Sequence, residues 1–103
     1  MIRGTTPTLL FNLPFEASII KSAEIVLQYV DDNKKVIIEK TLADCEIDTT
    51  SIWTRLTQEE TLLIPAPATV SVQLRVLTVD DIALATKIHN VSVKKLLKGD
   101  VIK

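Results

Sequence analysis

The stretch Thr69–Thr78, T-V-S-V-Q-L-R-V-L-T, decides the fold. Val70, Val72, Leu74 and Val76 alternate with Ser71, Gln73 and Arg75. In an extended chain this period of two puts the apolar set on one face and the polar set on the other. That is the pattern of an antiparallel strand with one face in a core and the other in water.

On the C-terminal side, Asp80-Asp81 marks a turn and Leu84 to Val93 reads as the next strand. Its apolar phase shifts from Leu84 and Ile88 to Val91 and Val93, which predicts a bulge near His89-Asn90. On the N-terminal side, Pro65-Ala66-Pro67 bars a helix from running into the strand. Just before it, Thr57-Gln58-Glu59-Glu60 has the S/T-x-x-E form of a capping box, so one helical turn is expected there.

Further out, Ser51 to Leu56 alternates again, with Ile52, Thr54 and Leu56 set against Trp53 and Arg55. Ala23 to Val30 and Lys34 to Lys40 read as a hairpin joined by Asp31-Asp32-Asn33. Ile25, Leu27 and Tyr29 share one face of its first arm. Thr8 to Leu13 is a first strand ended by Pro14. Phe15 to Ser22 connects over one end of the core, and a short strand is expected around Cys45 and Ile47.

About seven short strands with regular turns argue for an all-β fold: a small antiparallel β-sandwich of immunoglobulin-like topology, with one helical turn before the penultimate strand. An open barrel is the alternative. Antibody hallmarks are missing, since there is no cysteine pair and no tyrosine corner. At 103 residues the chain is expected to form a single domain. Residues 1–7 read as an extended arm and 94–103 as a tail, either a short amphipathic turn or an edge strand. With two Phe, one Tyr and one Trp among 47% hydrophobic residues, the core must be aliphatic.

The composition excludes several functions. Twelve basic and thirteen acidic residues give a net charge of −1, with no electrostatic case for nucleic acid. No apolar run approaches the roughly 18 residues of a membrane span. The first residues, M-I-R-G-T-T-P-T, lack a signal-peptide core, and the lone cysteine suits a reducing compartment. The expected setting is therefore the cytosol.

Catalytic chemistry is also hard to find. Two glycines leave no phosphate-cradling loop, and G-x-S-x-G, H-E-x-x-H and C-x-x-C are absent. Cys45 and His89 are too few for zinc and lack an orienting third group for nucleophilic catalysis. Asp44 and Glu46 flank Cys45 and oppose thiolate formation, so a buried structural thiol is expected. The Asp31-Asp32 and Asp80-Asp81 pairs suit turns better than calcium. The reading is a non-enzyme without cofactor, metal or small-molecule ligand.

The candidate contacts lie elsewhere. If Ile52 and Leu56 face the core, Trp53 and Arg55 face outward, as an interaction hot spot or a stacking platform for a sugar. In the opposite register Trp53 fills the core. Arg3 and Thr5 in the arm, and Leu96 and Leu97 in the tail, are candidates for pairing with a neighbouring chain.

Four segments resemble a group of short proteins encoded among the structural genes of tailed phages and prophages of gut Firmicutes. They are R-G-T-T-P-T (Arg3–Thr8), L-P-F (Leu13–Phe15), L-T-Q-E-E-T (Leu56–Thr61) and Q-L-R-V-L-T (Gln73–Thr78). The resemblance implies a role in the virion or its assembly, with other phage structural proteins or self as partners. The setting would be the virion, or the host bacterial cytoplasm during assembly. Its motifs are structural, and no functional residue carries over. Two other classes are a carbohydrate- or surface-binding module and a small phage-encoded inhibitor of a host protein.

Overall fold

A computed structural model describes residues 1–30 and 35–103. The chain is an all-β sandwich of two antiparallel sheets. The smaller sheet has the order β1 (Thr8–Asn12), β5 (Ser51–Arg55), β4 (Glu46–Asp48). The larger runs β3 (Lys35–Thr41), β2 (Ile20–Val30), β6 (Ala68–Thr78), and then β7 (Ala83–Ala85) and β8 (His89–Val93), which both pair with β6. One α-helical turn, α1 (Gln58–Leu62), and two 3-10 turns complete the described elements.

β6 behaves as its alternation demands. Val70, Val72, Leu74 and Val76 are buried, and Arg75 is exposed. β2 has the same length of 11 residues and a matching pattern, so the two pair over most of their length. Ile25 lies opposite Leu74 and Leu27 opposite Val72, and all four are essentially closed to solvent. Among the described residues the buried hydrophobic core holds only Ala, Val, Leu and Ile, while Phe11, Phe15 and Tyr29 pack half-buried at its margin. At about 25 cal/mol per Å² of apolar area, burial of these rows is the main force joining the sheets.

This long pairing corrects the immunoglobulin-like expectation. In that topology the second strand shares a sheet with the fifth. Here β2 lies between β3 and β6, and β5 lies between β1 and β4. Matched length and matched apolar rows bring β2 to β6, the partner that buries most.

The capping box forms as written. The Thr57 hydroxyl accepts from the Glu60 amide at 3.1 Å, and the Glu60 carboxylate accepts from the Thr57 amide at 2.8 Å. α1 precedes β6, which is third from the end rather than penultimate, because the expected last strand is divided into β7 and β8. The Thr61 hydroxyl, wholly buried at the end of that turn, donates to the Thr5 carbonyl at 2.9 Å.

The expected bulge is present three residues earlier than predicted. β7 and β8 lie along one edge of β6, with Ala85 opposite Arg75 and His89 opposite Val72. Three residues, 86–88, therefore oppose two, 73 and 74. Thr86 fixes the irregularity: its hydroxyl accepts from the Leu74 amide at 3.1 Å and its own amide donates to the Leu74 carbonyl at 2.9 Å. A side-chain oxygen thus substitutes for a missing ladder acceptor.

The segment near Cys45 forms a 3-10 turn, Leu42–Asp44, with Cys45 as its last cap and β4 following. The expected strand there is only three residues long. The Asp31-Asp32-Asn33 turn lies outside the described residues, although Val30 pairs with Lys35 where the hairpin arms begin.

Candidate functional site

The smaller sheet settles the orientation of Trp53. Ile52 and Thr54 are buried, so alternation points Trp53 and Arg55 outward. Trp53 lies between Leu10 of β1 and Glu46 of β4, and Arg55 stands opposite Thr8. Trp53 is half-buried, whereas Leu10, Glu46 and Arg55 are exposed. Beside them is a polar hollow of about 340 Å³ bordered by Thr8, Asp44, Glu46, Trp53 and Arg55. The face thus has an aromatic ring with a cation and two carboxylates around it.

The two ends of the chain do not project as pairing arms; they pair with each other. Ile2 and Lys94 form a parallel bridge, with the Lys94 amide donating to the Met1 carbonyl at 2.8 Å and the Arg3 amide to the Lys94 carbonyl at 3.1 Å. The Arg3 guanidinium donates to the carbonyls of Ile64 at 2.9 Å and Leu62 at 2.8 Å, so it satisfies carbonyls left open where the helical turn ends. Thr5 donates to the Ile2 carbonyl at 2.6 Å. Leu96 packs half-buried against Gly4, where any Cβ would lie 2.7 Å from its Cδ2; Gly4 also has a positive φ of 79°. Of the four terminal candidates, Arg3, Thr5 and Leu96 therefore serve internal contacts, and only Leu97 is fully exposed. The tail is neither helix nor strand after the bridge at Lys94. Its Ile102 amide and carbonyl are instead held by the Gln58 side chain at 2.7 and 3.2 Å.

The remaining chemistry-bearing residues are dispersed. His89 is exposed opposite Val72. Cys45 is half-buried. Burial pushes its thiol up and Asp44 adds to this, while a hydrogen bond with Thr54 and the charge of Lys40 act the other way. Asp81 pairs with Lys21 at 3.2 Å. Among the described residues no group of three His, Cys, Asp or Glu side chains is placed to hold a metal, and no helix is long and apolar enough to cross a membrane.

The sequence reading missed the bare edges. β3 carries Lys35, Glu39 and Lys40, and β4 carries Glu46 and Asp48; charged side chains on edge strands resist pairing with other chains. The edge of β8 runs beside Met1, whose amino group donates to the Ser92 carbonyl at 2.9 Å. β1 and β7 have no such protection, for neither Thr8–Asn12 nor Ile82–Thr86 contains a charge. Both lie on the same side of the sandwich. Two hollows of about 310 and 270 Å³ run along the seam between them, the first bordered by Leu9, Phe11, His89 and Val91 and the second by Leu13, Phe15, Val76 and Leu84. The signal was legible as an uncharged run between Asp81 and Lys87.

Comparison with family models, with curated proteins and with solved structures finds no match for this chain.

Proposed function

We propose that this domain is a non-enzymatic assembly protein of a tailed-phage or prophage particle, acting at the head, neck, tail or baseplate through contacts with other structural proteins or with itself. The observation that supports the protein-contact reading is the side formed by β1 and β7, where two uncharged sheet edges flank an apolar seam. Unpaired backbone groups beside exposed apolar side chains favour an added strand over a small polar ligand. The phage setting rests on the resemblance of four sequence segments. Its locations would be the virion and, during assembly, the bacterial cytoplasm. Mass spectrometry of purified particles, combined with light scattering of the isolated protein, tests the reading. Recovery in particles in fixed ratio to a capsid or tail protein is expected, and a strict monomer absent from particles would overturn it.

A second reading is a carbohydrate- or surface-binding module, favoured by the outward Trp53 beside Arg55 and the polar hollow. A half-exposed indole can stack on the apolar face of a sugar while neighbouring polar groups hold its hydroxyls. A glycan array probed with wild type and Trp53→Ala tests it. Equal binding by both proteins would eliminate this site.

A further inference from the structure

The hydrogen-bond direction along β7 is fixed by two contacts at its ends. Thr78 donates its amide to the Ile82 carbonyl at 3.0 Å, and Thr86 donates its amide to the Leu74 carbonyl at 2.9 Å. Residues facing a neighbour alternate along a strand. Ile82, Leu84 and Thr86 therefore turn their backbone groups toward β6, and Ala83 and Ala85 turn theirs to the open edge. Among the described residues no strand pairs with that edge.

The edge is complementary to itself. When two copies run antiparallel about a two-fold axis at Leu84, Ala83 of one meets Ala85 of the other, and each pair exchanges both of its backbone bonds. Leu84 then meets its own copy on the inner face, and Ile82 meets Thr86. One step beyond, outside the strand itself, Asp81, which also pairs with Lys21 at 3.2 Å, comes opposite Lys87. No like charges oppose each other, and opposite charges oppose at both ends. Ile82 and Leu84 are 55% and 42% exposed, so the pairing also covers apolar surface that the single chain leaves in water. The other described strand edges carry charges or lie beside the N-terminal residues, except that of β1, which lacks flanking charges of alternating sign.

We propose that β7 joins two copies of this chain edge to edge, in register about Leu84, making one sheet continuous through both molecules. This deepens the protein-contact reading by naming the partner as a second copy, and it depends on that reading only for its setting in a particle.

Ala83→Pro removes an outward amide and leaves the ladder with β6 untouched, since proline is tolerated where the N–H faces away from the sheet. Analytical ultracentrifugation of wild type should show a dimer, and Ala83→Pro should be monomeric with an unchanged circular-dichroism spectrum. Lys87→Glu puts two carboxylates opposite each other at each end and should weaken the dimer about tenfold at low salt, less at high salt. In a Cys45→Ala background, Leu84→Cys should oxidise to a cross-linked dimer, because directly opposed Cβ atoms in such a pair lie about 5 Å apart or less. Ala85→Cys should not, because its opposite residue is Ala83. A wild-type monomer at every concentration would overturn the proposal even if the protein were found in particles. A dimer indifferent to Ala83→Pro, or equal cross-linking of both cysteine variants, would overturn it as well.

Discussion

Glu60 joins two parts of the fold through one oxygen. Its Oε1 accepts from the Lys40 ammonium at 2.7 Å and from the Thr57 amide at 2.8 Å, linking β3 to the cap of α1. The side chains are only 12% and 23% exposed for Lys40 and Glu60, so water screens the pair less than an ordinary surface pair. Burial alone would raise the Glu60 carboxyl. The Lys40 and Thr57 hydrogen bonds outweigh it, and the net shift is downward. Glu60→Gln keeps an oxygen for the Thr57 amide but removes the charge that Lys40 faces. Hydrogen bonds to charged groups contribute about 1.5–3 kcal/mol; with the cap retained and Lys40 free to extend toward water, the expected loss is about 1–2 kcal/mol at pH 7. For a domain this size that lowers Tm by about 5–10 °C.

The pH dependence separates charge from packing. A carboxylate whose pKa is depressed by folding stabilises the protein above its unfolded value, about 4.3 for Glu, and that contribution is lost as pH falls through the folded value. The gap between wild type and Glu60→Gln, read from urea midpoints, should be constant from pH 7 to about 5 and should narrow below about 4. A double-mutant cycle with Lys40→Met should show coupling at pH 7. A gap that persists undiminished at low pH, or zero coupling, would refute the charge argument.

Other substitutions probe the core and the lone thiol. Thr61→Val keeps the shape but strands the Thr5 carbonyl, so it should cost about 1–2 kcal/mol in denaturant melts; a variant as stable as wild type would show that the bond contributes nothing. Val72→Asp places an unpaired charge between β2 and β8, several kcal/mol against a total stability of about 5–15, and should abolish the cooperative melt seen by circular dichroism. Cys45 should react with a disulfide reagent at pH 8 several-fold more slowly in the folded than in the urea-unfolded chain, since burial and Asp44 reduce its thiolate fraction. Equal rates would contradict that placement.

Local signals in the sequence translated directly into structure. The alternation of Val70 to Val76 gave β6, and Thr57 and Glu60 gave the cap, because both patterns are complete within a few residues. The phase shift after Leu84 announced a bulge, but its position depends on the Thr86 hydroxyl finding the Leu74 amide, a contact across strands. The sheet order was not legible, because alternation shows which face is apolar and not which strand lies beside it. The face of Trp53 was readable only once Ile52 and Thr54 were known to be inside. Arg3 reads as a candidate for contact with a neighbouring chain; its partners are instead the carbonyls of Leu62 and Ile64, which carry no side-chain signature.

The bridge between Ile2 and Lys94 has a consequence for the order in which the protein can be completed. The β2–β3 hairpin joins neighbours in sequence and can form soon after both arms are made. β1 must wait for β5, and Met1 for Ser92, a separation of 91 residues. During synthesis at about 5–20 residues per second, the uncharged β1 strand therefore spends seconds without its partner. Contacts of such long range also slow refolding, because the loop must be closed before the bonds are gained. Residues 1–12 are made well before their partners and find their place late, and that interval is when the chain is most exposed to aggregation.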